Sequence, residues 1–239
     1  MQLNTHELGE FYETHLGLVA RRILLRRVRL AWPDVEGLRV LGYGYATPFL
    51  RPFLIEAERT VAAMPAQMGA TSWPGSKCLT TLVEEDALAF PDAFFDRILV
   101  VHGVEGAESL RPLLRQLWRV LAPEGKLLLI APNRASLWAQ LDWSPFGQGR
   151  PFSRGELEAI LRDVLFEPLS WDRALYVPPL HSRALVGTGA SWEKFGSRFL
   201  PRLGGVHLVE VTKSLYAPVG PAAVPSAVRA VQLNPIGDN

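Results

Sequence analysis

Between residues 5 and 31, apolar side chains recur at Leu16, Val19, Ala20, Ile23, Leu24, Leu30 and Ala31, with arginines on the other side. That spacing predicts one amphipathic helix over 5–31. It is stopped by "WPDVEG", because proline cannot continue helical hydrogen bonding. Short apolar runs follow, each of strand length: "LRVLGYG", "RTVAAMP", "KCLTTLVE", "FDRILVVHG" and "GKLLLIAPN". Between them "PFLRPFLIEAE" and "AESLRPLLRQLWRVLAPEG" suit helices. The second carries Leu110, Leu113, Leu114, Leu117, Val120 and Leu121 and is expected to end at "PEG". The runs "RILVV" and "KLLLIA" lack alternation, as in strands covered on both faces of a parallel sheet. Farther on, Ser153 and Glu156 have the spacing of a capping box, so a helix is expected from Ser153. "LSWDRALYVPP" reads as a strand, "ASWEKFGSRFLPRLGG" as a helix, and "GVHLVEVTKS" as a closing strand whose alternation suits a sheet edge. Strands alternating with helices imply right-handed crossovers and a doubly wound α/β arrangement.

The chain of 239 residues is long enough for one sizeable core, and a single domain over 1–216 is the expectation, with the helix 5–31 packed on it. From Ala217 the chain is rich in alanine and proline and reads as a mobile tail, 217–239. Lysine and arginine number 25 against 24 acids, so no overall field points to nucleic acid or an anionic membrane. Arg21, Arg22, Arg26, Arg27 and Arg29 form a local basic face, which reads as solvated or as a contact for an acidic protein partner. Cys78 is the only cysteine, which excludes an internal disulfide and any thiolate cluster and fits a reducing cytoplasm. No run approaches the roughly 18 apolar residues of a spanning helix, and the histidines lack metal-ligand spacing and companions. A soluble, cytoplasmic protein without a metal is expected.

The block "DALAFPDAFFDRILVVHGVEGAESLRPLLRQLWRVLAPEGKLLLIAPN" resembles the "LPFPDxSFDxV", strand, "RVLKPGGxLLI" order of the class I S-adenosylmethionine (SAM)-dependent methyltransferases, of the branch labelled methyltransferase type 11. The resemblance covers about residues 8–215. It implies a Rossmann-like fold: seven mostly parallel strands, the last antiparallel, with helices on both faces. It also implies SAM as cofactor and a small molecule or a protein as methyl acceptor.

The opening strand and loop, Val40 to Ala46, stand where the family has "VLDLGCGTG". Gly42 replaces the family's acid, Gly44 keeps the first loop glycine, and Ala46 and Pro48 replace the other two. Gly42, Tyr43, Gly44, Tyr45 and Ala46 are therefore the expected methionine-side contacts. At the second strand's end "VAAMPAQMG" has no carboxylate for the ribose, and Gln67 is the nearest neutral substitute. Each lost charge-assisted hydrogen bond costs about 1.5–3 kcal/mol. After the third strand, "VEEDALAFPD" offers carboxylates for the adenine. Counting back without gaps puts Glu84 on the family's acid, with Glu85 beside it, and a short deletion would put Asp86 there instead.

Ligands of open α/β sheets bind beyond the carboxyl ends of the strands. His102 stands at such an end, as a cofactor contact and the candidate general base. Asn133 and Arg134, with Trp143, Phe146 and Arg150 of the Gly/Pro/Trp-rich loop 133–152, are candidate acceptor contacts or simply packing. A dinucleotide fingerprint G-x-G-x-x-G is only half present, since Thr47 takes the last glycine. Two readings follow: a SAM-dependent methyltransferase, or a retired relative serving as a binding or scaffold subunit. A cofactor cleft filled by Tyr43, Tyr45 or Met64 would favour the second.

Overall fold

The structure, a computed structural model, describes residues 4–75, 77–179 and 189–214. The stretch read from sequence as a tail lies outside them. Seven strands form one sheet in the order β3-β2-β1-β4-β5-β7-β6. They are β1 (Arg39–Gly44), β2 (Arg59–Pro65), β3 (Thr80–Val83), β4 (Phe95–Val101), β5 (Leu121–Pro132), β6 (Phe166–Ala174) and β7 (Val206–Lys213). β1 to β5 pair in parallel, and β7 runs antiparallel to both β5 and β6. The order reverses between β1 and β4, which fixes the switch point of the sheet there.

Alternation along the strands builds two cores. Leu99 and Val101 of β4, with Val40, Ala62, Met64 and Ile130, face one buried cluster. Ile98 and Val100, with Leu41, Tyr43, Ala63 and Leu129, face the other. The first is covered by α1 (Thr5–Glu13), α2 (His15–Ala31), α3 (Thr47–Leu50) and α4 (Phe53–Glu56), the second by α5 (Leu110–Val120) and α6 (Arg154–Asp163). A further helix, α7 (Gly189–Phe199), precedes β7.

Three sequence expectations change. The helix expected over 5–31 is two helices, because Thr14 takes an extended conformation and caps α2 by accepting the Gly17 N–H on its hydroxyl at 3.0 Å. Gly17 lets α1 fold back closely: a Cβ there would strike the Phe11 carbonyl. Second, α5 stops at Val120 and the chain is already extended through "PEG", inside β5. Third, β7 is no edge but lies between β5 and β6. Its polar residue Glu210 is buried and used: it accepts from the buried Trp32 indole at 3.1 Å and pairs with Lys126. Ser153 caps α6 as expected, accepting the Glu156 N–H at 3.2 Å.

The block that resembles the methyltransferases is held by one side chain. Arg119 of α5 donates to the carbonyls of Leu88 and Phe90 at 2.6 and 2.9 Å and pairs with Asp92, tying the loop before β4 to the helix after it. No helix among the described residues is long and apolar enough to cross a membrane.

Candidate functional site

At the switch point β1 ends in Gly44 with φ +78°, and the Tyr45 N–H donates to the Val101 carbonyl of β4 at 2.8 Å. A Cβ on Gly44 would strike that carbonyl and stand 2.9 Å from Gly103, so the sheet itself demands glycine here. β4 then turns at His102, whose φ of +51° is costly for a side chain with a Cβ. The turn aims its ring back over the end of the sheet.

There His102 is 1% exposed and joins two groups that the sequence did not single out. Its Nδ1 lies 2.9 Å from Glu105 Oε1, and its Nε2 lies 2.8 Å from the Tyr12 hydroxyl of α1. An ionised carboxylate can only accept, so Glu105 places the proton of the neutral ring on Nδ1 and leaves Nε2 to accept from Tyr12. The other Glu105 oxygen accepts the Val104 N–H at 3.2 Å. Burial, then the Glu105 charge, pushes the Tyr12 hydroxyl well above its ordinary pKa and keeps it a donor. The result is a buried Tyr12–His102–Glu105 relay.

Aromatic rings fill the space around it. Tyr12 stacks on Tyr45 at 5.9 Å and meets Phe49 edge-on at 5.7 Å. Phe146 lies 5.0 Å from His102 and packs against Phe11 and Trp138. Thus Tyr45 and an unforeseen partner, Tyr12, fill the space beyond the end of β1, while Tyr43 and Met64 belong to the two sheet cores. The Tyr43 hydroxyl is buried without a partner, and its pKa is raised by burial and by the charge of Glu85.

The other expected residues are placed as follows. Gly42 is enclosed by Leu50 and Ala46, where a side chain would clash. Gln67 is exposed at the rim of a slot that it shares with Met68, Glu85, His102 and Gly103, about 10 Å³ in volume. Glu84 points to solvent. Glu85 is buried, and its Oε2 accepts the N–H groups of Glu108 and Ser109 at 3.0 and 3.2 Å, capping α5. Glu85→Ala should cost about 1–2 kcal/mol of stability, read as a fall in thermal midpoint, if capping is its role.

The loop residues are committed internally. Asn133 is buried and its amide donates to the carbonyls of Arg202 and Gly204 at 2.9 and 2.8 Å. Arg134 and Arg150 both pair with Glu156, and Trp143 is exposed. Among the described residues no cluster suits a metal ion. In the basic stretch of α2, Arg27 pairs with Asp172 at 3.1 Å and Arg29 with Glu56 at 2.7 Å.

As arranged, the cleft does not fit SAM. Pockets for ligands of this size span about 300–1,000 Å³, far above the slot between the ends of β2, β3 and β4. The carboxylates nearest it are turned outward, as Glu84, or spent on backbone, as Glu85 and Glu105. Opening would require α1 to withdraw Tyr12.

Comparison with known proteins gives a partial domain match and a fold. Residues 45–129 match the family described as "Methyltransferase domain", type 11, the match beginning just past β1. No curated protein matches the chain in sequence. Among solved structures, it resembles a SAM-dependent methyltransferase from Thermotoga maritima at 17% identity and a TM-score of 0.62, covering 87% of this chain and 95% of that one. It resembles a methyltransferase from Haloferax volcanii, solved in complex with the activator Trm112, at 18% identity and TM-score 0.57, covering 79% and 88%. The [4+2]-cyclase SpnF shares the fold at 18% identity and TM-score 0.55, covering 82% of each chain. The strand order and these likenesses show that the chain has the fold of the class I SAM-dependent methyltransferases, and residues 45–129 match a methyltransferase domain.

Proposed function

We propose that this protein transfers a methyl group from SAM to a small-molecule or protein acceptor, from a cleft that its own helix α1 holds shut. The observation that carries the reading is the hydrogen bond from Tyr12 of α1 to His102, at the strand end where folds of this kind bind their ligands. With α1 withdrawn, His102 Nε2 faces the cleft as a general base, its tautomer held by Glu105. Gly103, Gln67 and Met68 border the space for the nucleoside half. The loop from Trp138 to Arg150 borders His102 through Phe146, on the side from which an acceptor would approach. Cytoplasmic operation, and an accessory protein like that of the Haloferax relative, are compatible with this reading.

Calorimetric titration of SAM and S-adenosylhomocysteine into the full chain and into Tyr12→Ala tests it. A closed majority state lowers apparent affinity by the open fraction, so Tyr12→Ala should bind at least about tenfold more tightly than the parent. Equal binding by both chains would remove the plug and keep the transferase. Silence from both at millimolar ligand would leave the second reading, a retired relative that binds a partner. That reading is favoured by the narrow slot and the spent carboxylates.

A further inference from the structure

The antiparallel end of the sheet holds a second constellation. β6 and β7 set Arg173 opposite His207, with Trp171 two residues before Arg173 on the same face. His207 is 2% exposed, yet neither of its ring nitrogens has a hydrogen-bond partner. The Nε of Arg173 is likewise buried and unpartnered, while its Nη1 donates to the Pro201 carbonyl at 3.1 Å. Arg154, from the first turn of α6, stands 5.0 Å above the Trp171 ring, and that ring meets His207 edge-on at 6.2 Å. These four side chains line one cavity of about 210 Å³, walled also by Tyr176, whose hydroxyl donates to Pro201. None of them belongs to the cleft at β1 and β4.

The charge of this cavity is positive, and the Nε of Arg173 is an unspent donor in it. Asp172 at its rim is the one lining carboxylate among the described residues, and it is engaged elsewhere. Its Oδ1 accepts the Arg173 backbone N–H at 2.8 Å and its Oδ2 pairs with Arg27. Burial, then Arg173, hold the His207 pKa down at about 4, opposed by the nearby Phe152 backbone and helped, more weakly, by Arg154. The neutral ring keeps one donor and one acceptor. Buried polar groups without partners are costly, and two of them border one cavity, with a second guanidinium beside it.

We propose that this cavity is a binding site for a small oxyanion, a carboxylate or phosphate group, gripped by Arg173, His207 and Arg154 against the face of Trp171. Guanidinium groups match both anions in geometry, and their hydrogen bonds to anions are the stronger, charge-assisted kind. The volume admits a compact anion and excludes a nucleotide.

The test is calorimetric titration of inorganic phosphate, and separately of acetate, into the full chain at constant ionic strength. Saturable binding of either is expected, weakened at least about tenfold by Arg173→Gln and at least about threefold by Arg154→Gln. Preference between the two probes identifies the group. Absence of saturable heat at tens of millimolar of both, or binding that both substitutions leave unchanged, overturns the proposal. Arg154 is exposed, so its replacement spares the fold and decides the matter alone if Arg173→Gln does not fold. SAM titration of the same variants should be unaltered, which separates failure here from failure of the methyltransferase reading.

Discussion

Replacing Glu105 with alanine should lower the unfolding free energy by about 2–5 kcal/mol, from leaving two buried donors unsatisfied at about 1–3 kcal/mol each. Two buried donors lose their acceptor together, the Nδ1–H of His102 and the N–H of Val104. His102 already carries a left-handed backbone, and nothing else among its contacts holds its tautomer. For a domain of this size the loss amounts to a fall of about 10 °C in thermal midpoint, measured by scanning calorimetry. Glu105→Gln keeps one acceptor of the same shape and should recover much of it. A midpoint unchanged in Glu105→Ala would mean the relay is not formed in solution.

Gly44→Ala should be nearly as damaging, at about 3 kcal/mol or more. At φ +78° a Cβ costs about 1–2 kcal/mol by itself. Here it would also meet the Val101 carbonyl and the Gly103 backbone, which are the ends of β4 and cannot rotate away as a side chain would. A loss of about 6–12 °C in midpoint is expected, and a change under about 2 °C would show that β1 and β4 are farther apart than described. The experiment also separates two meanings of this glycine. A loop glycine kept for cofactor approach would lose ligand affinity with its stability intact; Gly44 should lose stability first.

Much of the sheet was legible because its strands are short, apolar and bounded by turns; β2 was read to the residue, Arg59–Pro65. The break at Thr14 was not, since "YETH" holds no glycine or proline and a threonine serves a helix interior or a cap equally well in print. β7 was misplaced because Glu210 and Thr212, two residues apart on one face, look like a wet side. Burial with specific partners, such as the Trp32 indole, gives polar residues the same alternation as solvent does. The family-like block was the clearest text in the chain, and Arg119 within it ties the loop before β4 to α5. In the cleft, Gly44 and His102 could be read from their positions at strand ends. Tyr12 could not, because its partner lies 90 residues away in the chain. Glu105 could have been suspected from "HGVE", a carboxylate three residues past a histidine at a strand end.

The capping of α5 by Glu85 bears on what the slot beside it can select. The exposed amides at a helix start amount to about half a positive charge, which elsewhere attracts phosphates and carboxylates. Here a buried carboxylate accepts from the Glu108 and Ser109 N–H groups at 3.0 and 3.2 Å. Its full negative charge exceeds that half charge, so the helix start that elsewhere attracts a phosphate turns one away here. An anionic group entering beside Met68 and Gly103 would have to find its partners at the rim.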